Sequence, residues 1–97
     1  MDSVSNRRAY EERMRELVAN WVDDVERLRE RATADTTRDY AAEIETLEYQ
    51  FERLYARLDQ LEVVADVAFD EWRGGVDEAA ADLGQTIGRL KSELGLA

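Results

Sequence analysis

The chain has 97 residues, 23 of them acidic against 13 basic, a formal net charge of −10, and no cysteine, histidine or proline. Without cysteine there is no disulfide, thiol nucleophile or thiolate metal site. Without histidine the commonest general base and transition-metal ligand are missing. So strong an acidic excess repels phosphate backbones and anionic lipid headgroups, which argues against a nucleic-acid partner and makes a membrane partner unfavourable.

The length predicts one domain over 1–97. The opening Met1-Asp2-Ser3-Val4 lacks a basic-then-apolar layout, so no signal peptide and a cytoplasmic location are expected. No apolar run approaches the roughly 18 residues of a membrane span. Five glycines and no proline suit long helices.

The first helix is predicted from about Asn6 to Ala32. Tyr10, Met14, Leu17, Trp21, Val25, Leu28 and Ala32 recur at helical spacing and form one apolar face. Val18 and Val22 widen that face enough to touch two neighbours. Thr33-Ala34-Asp35-Thr36-Thr37 then interrupts the pattern. Thr36 with Asp39 three residues on resembles a capping box, so a turn is expected here; the alternative is one continuous helix, since neither glycine nor proline forces a break.

The second helix is predicted over about 37–73. Tyr40, Ile44, Leu47, Phe51, Leu54, Leu58, Leu61, Ala65, Ala68 and Trp72 alternate spacings of four and three, the heptad of a helix lying against a partner helix. Between Leu61 and Trp72 apolar residues cover more of the circumference than one neighbour can enclose. Val63, Val67, Phe69 and Trp72 are therefore assigned to an interface with a second chain. Gly74-Gly75 is the strongest local breaker, costing about 2 kcal/mol of helix propensity for the pair, and a break or kink is expected there. A third helix follows over about 76–94, on Val76, Ala79, Leu83, Ile87, Leu90 and Leu94. Alternatively the phase of Trp72, Val76 and Ala79 lets the helix run straight on, giving one helix of nearly 60 residues whose far half pairs with another chain.

No motif specifies a reaction. The carboxylate pairs Glu48/Glu52 and Glu62/Asp66 stand at i,i+4, but ferritin-like metal sites also require a Glu-x-x-His element. Ser3, Ser5 and Ser92 have no base nearby in sequence. The arginines of 7–15 and 27–31 are interleaved with acids, as on a solvated face of i,i+4 ion pairs. Gly84 and Gly88 form a G-x-x-x-G that would allow a close helix crossing. Trp72-Arg73-Gly74 spells the W-x-G that marks the turn of the small helical-hairpin proteins of type VII secretion, but it falls three-quarters along the chain, where that family has it near the middle.

A longer series covers most of the chain: Ala9-Tyr10-Glu11, Trp21-Val22-Asp23-Asp24-Val25-Glu26-Arg27-Leu28, Tyr40 with Ile44-Glu45-Thr46-Leu47, and Ala68-Phe69-Asp70-Glu71-Trp72-Arg73-Gly74-Gly75-Val76-Asp77. In this order the segments resemble a family of small bacterial coiled-coil proteins described as apolipoprotein-like or stress-response proteins. The chain departs from that pattern at Phe69 and Ala80, where the family has tryptophan, and carries its own Trp72. The resemblance implies a cytoplasmic helical protein linked to stress tolerance, with no catalytic residue or cofactor to carry over.

The expected fold is all-α: an antiparallel coiled coil of two long helices or an elongated three-helix bundle, self-associating as a homodimer. The expected function is non-enzymatic, exercised through self-association and contact with a protein partner that the residues do not identify. The alternatives are a peripheral amphipathic lipid-surface binder and an acidic DNA-mimic inhibitor.

Overall fold

In a computed structural model, which describes residues 3–96, the chain forms three helices: α1 (Ser3–Ala34), α2 (Ala41–Val63) and α3 (Phe69–Glu93), with a short 3-10 turn at Asp66–Ala68 before the last. The reading of the N-terminus rests on Met1 and Asp2 as well, which lie outside the described residues, as do the side chains of Ser3 and Ser5. The molecule measures 53 × 20 × 15 Å. Its long axis is little more than α1 itself, since 32 residues at 1.5 Å each span about 48 Å.

Cross-links fix the directions. Arg7 meets Asp66, Arg15 meets Asp59, and Arg29 meets Glu48, so α1 and α2 run antiparallel. Arg53 meets Asp82 and Arg38 meets Glu93, so α3 returns antiparallel to α2. Tyr10 meets Asp77 and Asp24 meets Lys91, so α3 runs alongside α1 in the same direction.

One core runs the length of the three helices. Leu28 from α1, Leu47, Leu54, Leu58 and Leu61 from α2, and Val76, Leu83 and Leu90 from α3 are fully enclosed. In α1 the central line is Tyr10, Met14, Val18, Val25, Leu28 and Ala32. Leu17 and Trp21 flank it half-buried, while Val22 faces outward.

The second helix departs from the expected 37–73 at both ends. It begins at Ala41, after a connector organised by Asp35 and Asp39. The Asp35 carboxylate accepts from the Thr37 amide (2.8 Å) and hydroxyl (2.6 Å), and the Asp39 carboxylate accepts from the Ala41 amide (3.0 Å). These two aspartates, and not a Thr36–Asp39 capping box, shape the turn. Asp35 is held below the usual carboxylate range first by the Thr37 hydroxyl and then by its amide. Tyr40 is buried just ahead of the helix.

At the other end the chain leaves the helix at Val63, eleven residues before the glycine pair. Val64 and Ala65 are extended, with ψ of 150° and 152°. Gly74-Gly75, and the W-x-G that overlaps it, lie inside α3, which overturns both the expected break and the single 60-residue helix. Fully burying Val76 and Leu83 in α3 is worth about 3–6 kcal/mol together, more than the roughly 2 kcal/mol that two helical glycines cost. The heptad seam accordingly stops at Leu61: Ala65 and Trp72 are exposed and Ala68 is only partly covered.

Candidate functional site

The most elaborated cluster in the described residues lies where α1 crosses the α2–α3 connector. Helix α2 ends without glycine or proline, leaving its last carbonyls to be satisfied from elsewhere. Arg7 supplies the donors: its Nη2 lies 2.8 Å from the Leu61 carbonyl and 3.3 Å from that of Glu62, while Nη1 donates to Asp66 at 2.7 Å and Nε to Glu11 at 3.2 Å. A guanidinium is well placed there, at the negative end of a helix dipole. The same guanidinium sits 5.0 Å from the centre of the Phe69 ring. The hydrogen bond to Asp66 is the largest influence raising the pKa of Arg7.

Phe69 in turn meets Tyr10 edge-on, with ring centres 5.9 Å apart. The Tyr10 hydroxyl donates to the Asp77 carboxylate and lies 3.4 Å from the Arg73 carbonyl. Arg13 and Arg73 flank its ring, each 5.8 Å from the centre. Burial first, and the Asp77 carboxylate second, push the Tyr10 hydroxyl well above its usual ionisation range. A phenol held this way is less able to act as nucleophile or base at neutral pH, so the arrangement serves to join three elements.

The residues assigned to an interface fall in two settings. Val63 and Val67 are 79% and 96% exposed, at the same end of the molecule as this joint, and Trp72 is 41% exposed. Trp72 lines a shallow recess with Arg57, Glu71, Gly75 and Glu78. Phe69 is the correction: it is buried in the chain's own core against Tyr10 and Arg7, so it is not open to a second chain in this form. Its place follows from register, because Phe69 stands seven residues before the buried Val76.

Three of the four carboxylates that might have paired around a metal are taken up by guanidinium groups, Glu52 being the exception. Glu48 pairs with Arg29 (3.2 Å), Glu62 with Arg15 (2.6 Å) and Asp66 with Arg7 (2.7 Å). Among the described residues only Arg7–Glu11 and Arg89–Glu93 are i,i+4 ion pairs, and most of the others bridge two elements. Of the arginines at 7–15 and 27–31, Arg7, Arg15 and Arg29 tie α1 to other elements. The G-x-x-x-G serves differently at its two ends. A Cβ at Gly84 would lie 3.4 Å from the Trp21 indole, whereas one at Gly88 would meet nothing within 4 Å.

Sequence reasoning missed the Arg7–Tyr10–Phe69–Asp77 joint. Its one local trace is the pairing of Arg7 with Tyr10 at i,i+3, which points nowhere until the turn at 64–68 is known. No helix among the described residues is long and apolar enough to cross a membrane. Comparison with known proteins finds no matching family, no matching curated protein and no matching solved structure.

Proposed function

We propose that this chain is a non-enzymatic helical-bundle protein of the cytoplasm that acts through protein contacts, beginning with a second copy of itself. The helices pair along a coiled-coil-like seam, and the contact with the second copy is made by the end of the bundle that carries Val63, Val67 and Trp72. The observation that carries this reading is the exposure of Val63 and Val67 around the α2–α3 turn, where the other large apolar residues, Val64 and Phe69, are packed inward. Two neighbouring β-branched residues left in water at a structured helix end are better used against another surface. The resemblance to small bacterial stress-response proteins supports a role in stress tolerance.

Sedimentation velocity over one to one hundred micromolar tests the reading. The wild-type chain is expected to shift toward dimer with concentration, and Val63→Ser with Val67→Asp is expected to remain monomeric with an unchanged helical spectrum. A wild-type monomer across the whole range refutes self-association through this end.

A further inference from the structure

A second surface lies away from that end, between α1 and α2. Val22, Val25 and Phe51 floor a groove rimmed by Glu26, Arg29, Glu48 and Glu52, with a volume of about 280 Å³. Val22 is 43% exposed, and Phe51 is half-covered. Tyr55, one turn beyond Phe51 on α2, is 46% exposed and continues the apolar line. The volume falls just below the ~300–1,000 Å³ of small-molecule sites and suits one or two inserted side chains.

The charges around the groove select the occupant. Arg29, the one cation on the rim, is engaged by Glu48 at 3.2 Å. Glu26 and Glu52 stand on opposite rims and have no ion-pair partner among the described residues. An apolar floor between two free carboxylates, in a chain of net charge −10, is complementary to a helix with apolar residues on one face and Lys or Arg beside them. A second copy of this chain is a poor occupant of this groove, because its arginines are interleaved with acids along its helices and offer no continuous basic face. An anionic lipid surface is repelled by the net charge of −10.

We propose that this groove docks a basic amphipathic helix of another protein. Its apolar side chains, spaced i and i+3 or i+4, seat between Val22 and Phe51, and its cations meet Glu26 and Glu52. The proposal rests on the reading of the chain as a protein-contact module, but it uses a different surface from the Val63–Val67 end.

The test is isothermal titration of the full chain with an 18-residue peptide carrying leucine on one helical face and lysine and arginine on the other. Its counterpart carries glutamate at every basic position. The basic peptide is expected to bind, and the acidic one is not. Val22→Asp and the double variant Glu26→Lys/Glu52→Lys alter exposed positions, and circular dichroism checks that each remains helical. Each is expected to weaken binding at least tenfold, or about 1.4 kcal/mol. Equal affinity of wild type and both variants would place binding elsewhere and overturn the groove. Binding of the acidic peptide as tightly as the basic one, or no binding of the basic peptide at hundreds of micromolar, would overturn the assigned partner. Sedimentation of the same samples reports self-association separately. The loss of dimer in Val63→Ser/Val67→Asp without a change in peptide affinity separates the two surfaces.

Discussion

Tyr10→Phe isolates what the hydroxyl contributes to the joint between α1 and α3. The ring is kept, and with it the edge-on packing against Phe69 at 5.9 Å. What is lost is one hydrogen bond to the Asp77 carboxylate. Hydrogen bonds to charged groups are worth about 1.5–3 kcal/mol. Asp77 is exposed and rehydrates once released, so the expected loss at pH 7 is at the low end, about 1.5 kcal/mol. The pH dependence is the sharper signature. The folded-state pKa of Tyr10 is raised above the ordinary tyrosine value of 10. Above pH 10 the unfolded chain therefore gives up a proton that the folded chain keeps. The unfolded state then binds fewer protons, and stability falls as pH rises, by at most about 1.4 kcal/mol per pH unit from this group. The contribution is fully present below pH 10. Urea unfolding followed by circular dichroism from pH 9 to 11.5 is the assay: the wild-type curve should fall more steeply than that of Tyr10→Phe, so that the gap between them narrows with pH. Parallel curves would refute the reasoning and show that the hydroxyl ionises equally in both states.

Leu58 is fully enclosed between helices, so Leu58→Ala should cost about 2–4 kcal/mol in urea unfolding; a loss below half a kcal/mol would mean that the seam is not the core. Gly88 lies in the interior of α3 with open space where a Cβ would go, and Gly88→Ala should raise stability by about 0.5–1 kcal/mol, a gain that a rise in melting temperature would report. Surface ion pairs contribute only about 0–1 kcal/mol each, so repulsion among ten excess negative charges should dominate at low salt. The melting temperature should therefore climb between a few millimolar and several hundred millimolar sodium chloride. A steady fall over that range would show that the cross-helix pairs outweigh the net repulsion.

The helical character of the chain and much of its core could be read from spacing alone. Leu47, Leu54, Leu58 and Leu61 repeat on one face of α2, and Val76, Ala79, Leu83, Ile87, Leu90 and Leu94 on one face of the third helix and its cap; all are buried. The reversal between them was not legible. Local propensity favours a break at Gly74-Gly75, yet the chain turns at Val64–Ala68, where no residue is a strong breaker. That turn is decided by partners far away in sequence: Arg7, which takes up the carbonyls released at the end of α2, and Tyr10, which packs on Phe69. With the turn misplaced, Trp72 took the seam position that Phe69 holds one turn earlier. The groove at Val22 and Phe51 was hidden for a similar reason. Both residues match core spacing, and only the register of α1 on α2 leaves one outside and the other half-covered.

That register needs more than the seam to define it. Leucines repeating every three or four residues pack almost as well after a slip of seven, so the aliphatic core alone would tolerate several alignments. Two contacts in this chain cannot be repeated one heptad away. Arg7 caps carbonyls that are free only where α2 ends, and Trp21 lies against Gly84, a position at which the α3 surface is empty enough to take an indole. Shifted by seven residues along α3, Trp21 would face Asp77 or Lys91 instead of a glycine. Cross-helix ion pairs at Arg15, Arg53 and Lys91 agree with the same alignment, but acids are frequent enough on α2 for Arg15 to find a partner in a slipped register as well. Alignment is therefore assigned to one cap near the start of α1 and one large-to-small contact near its middle. Val22, one residue past Trp21, takes part in neither contact and keeps its side chain exposed.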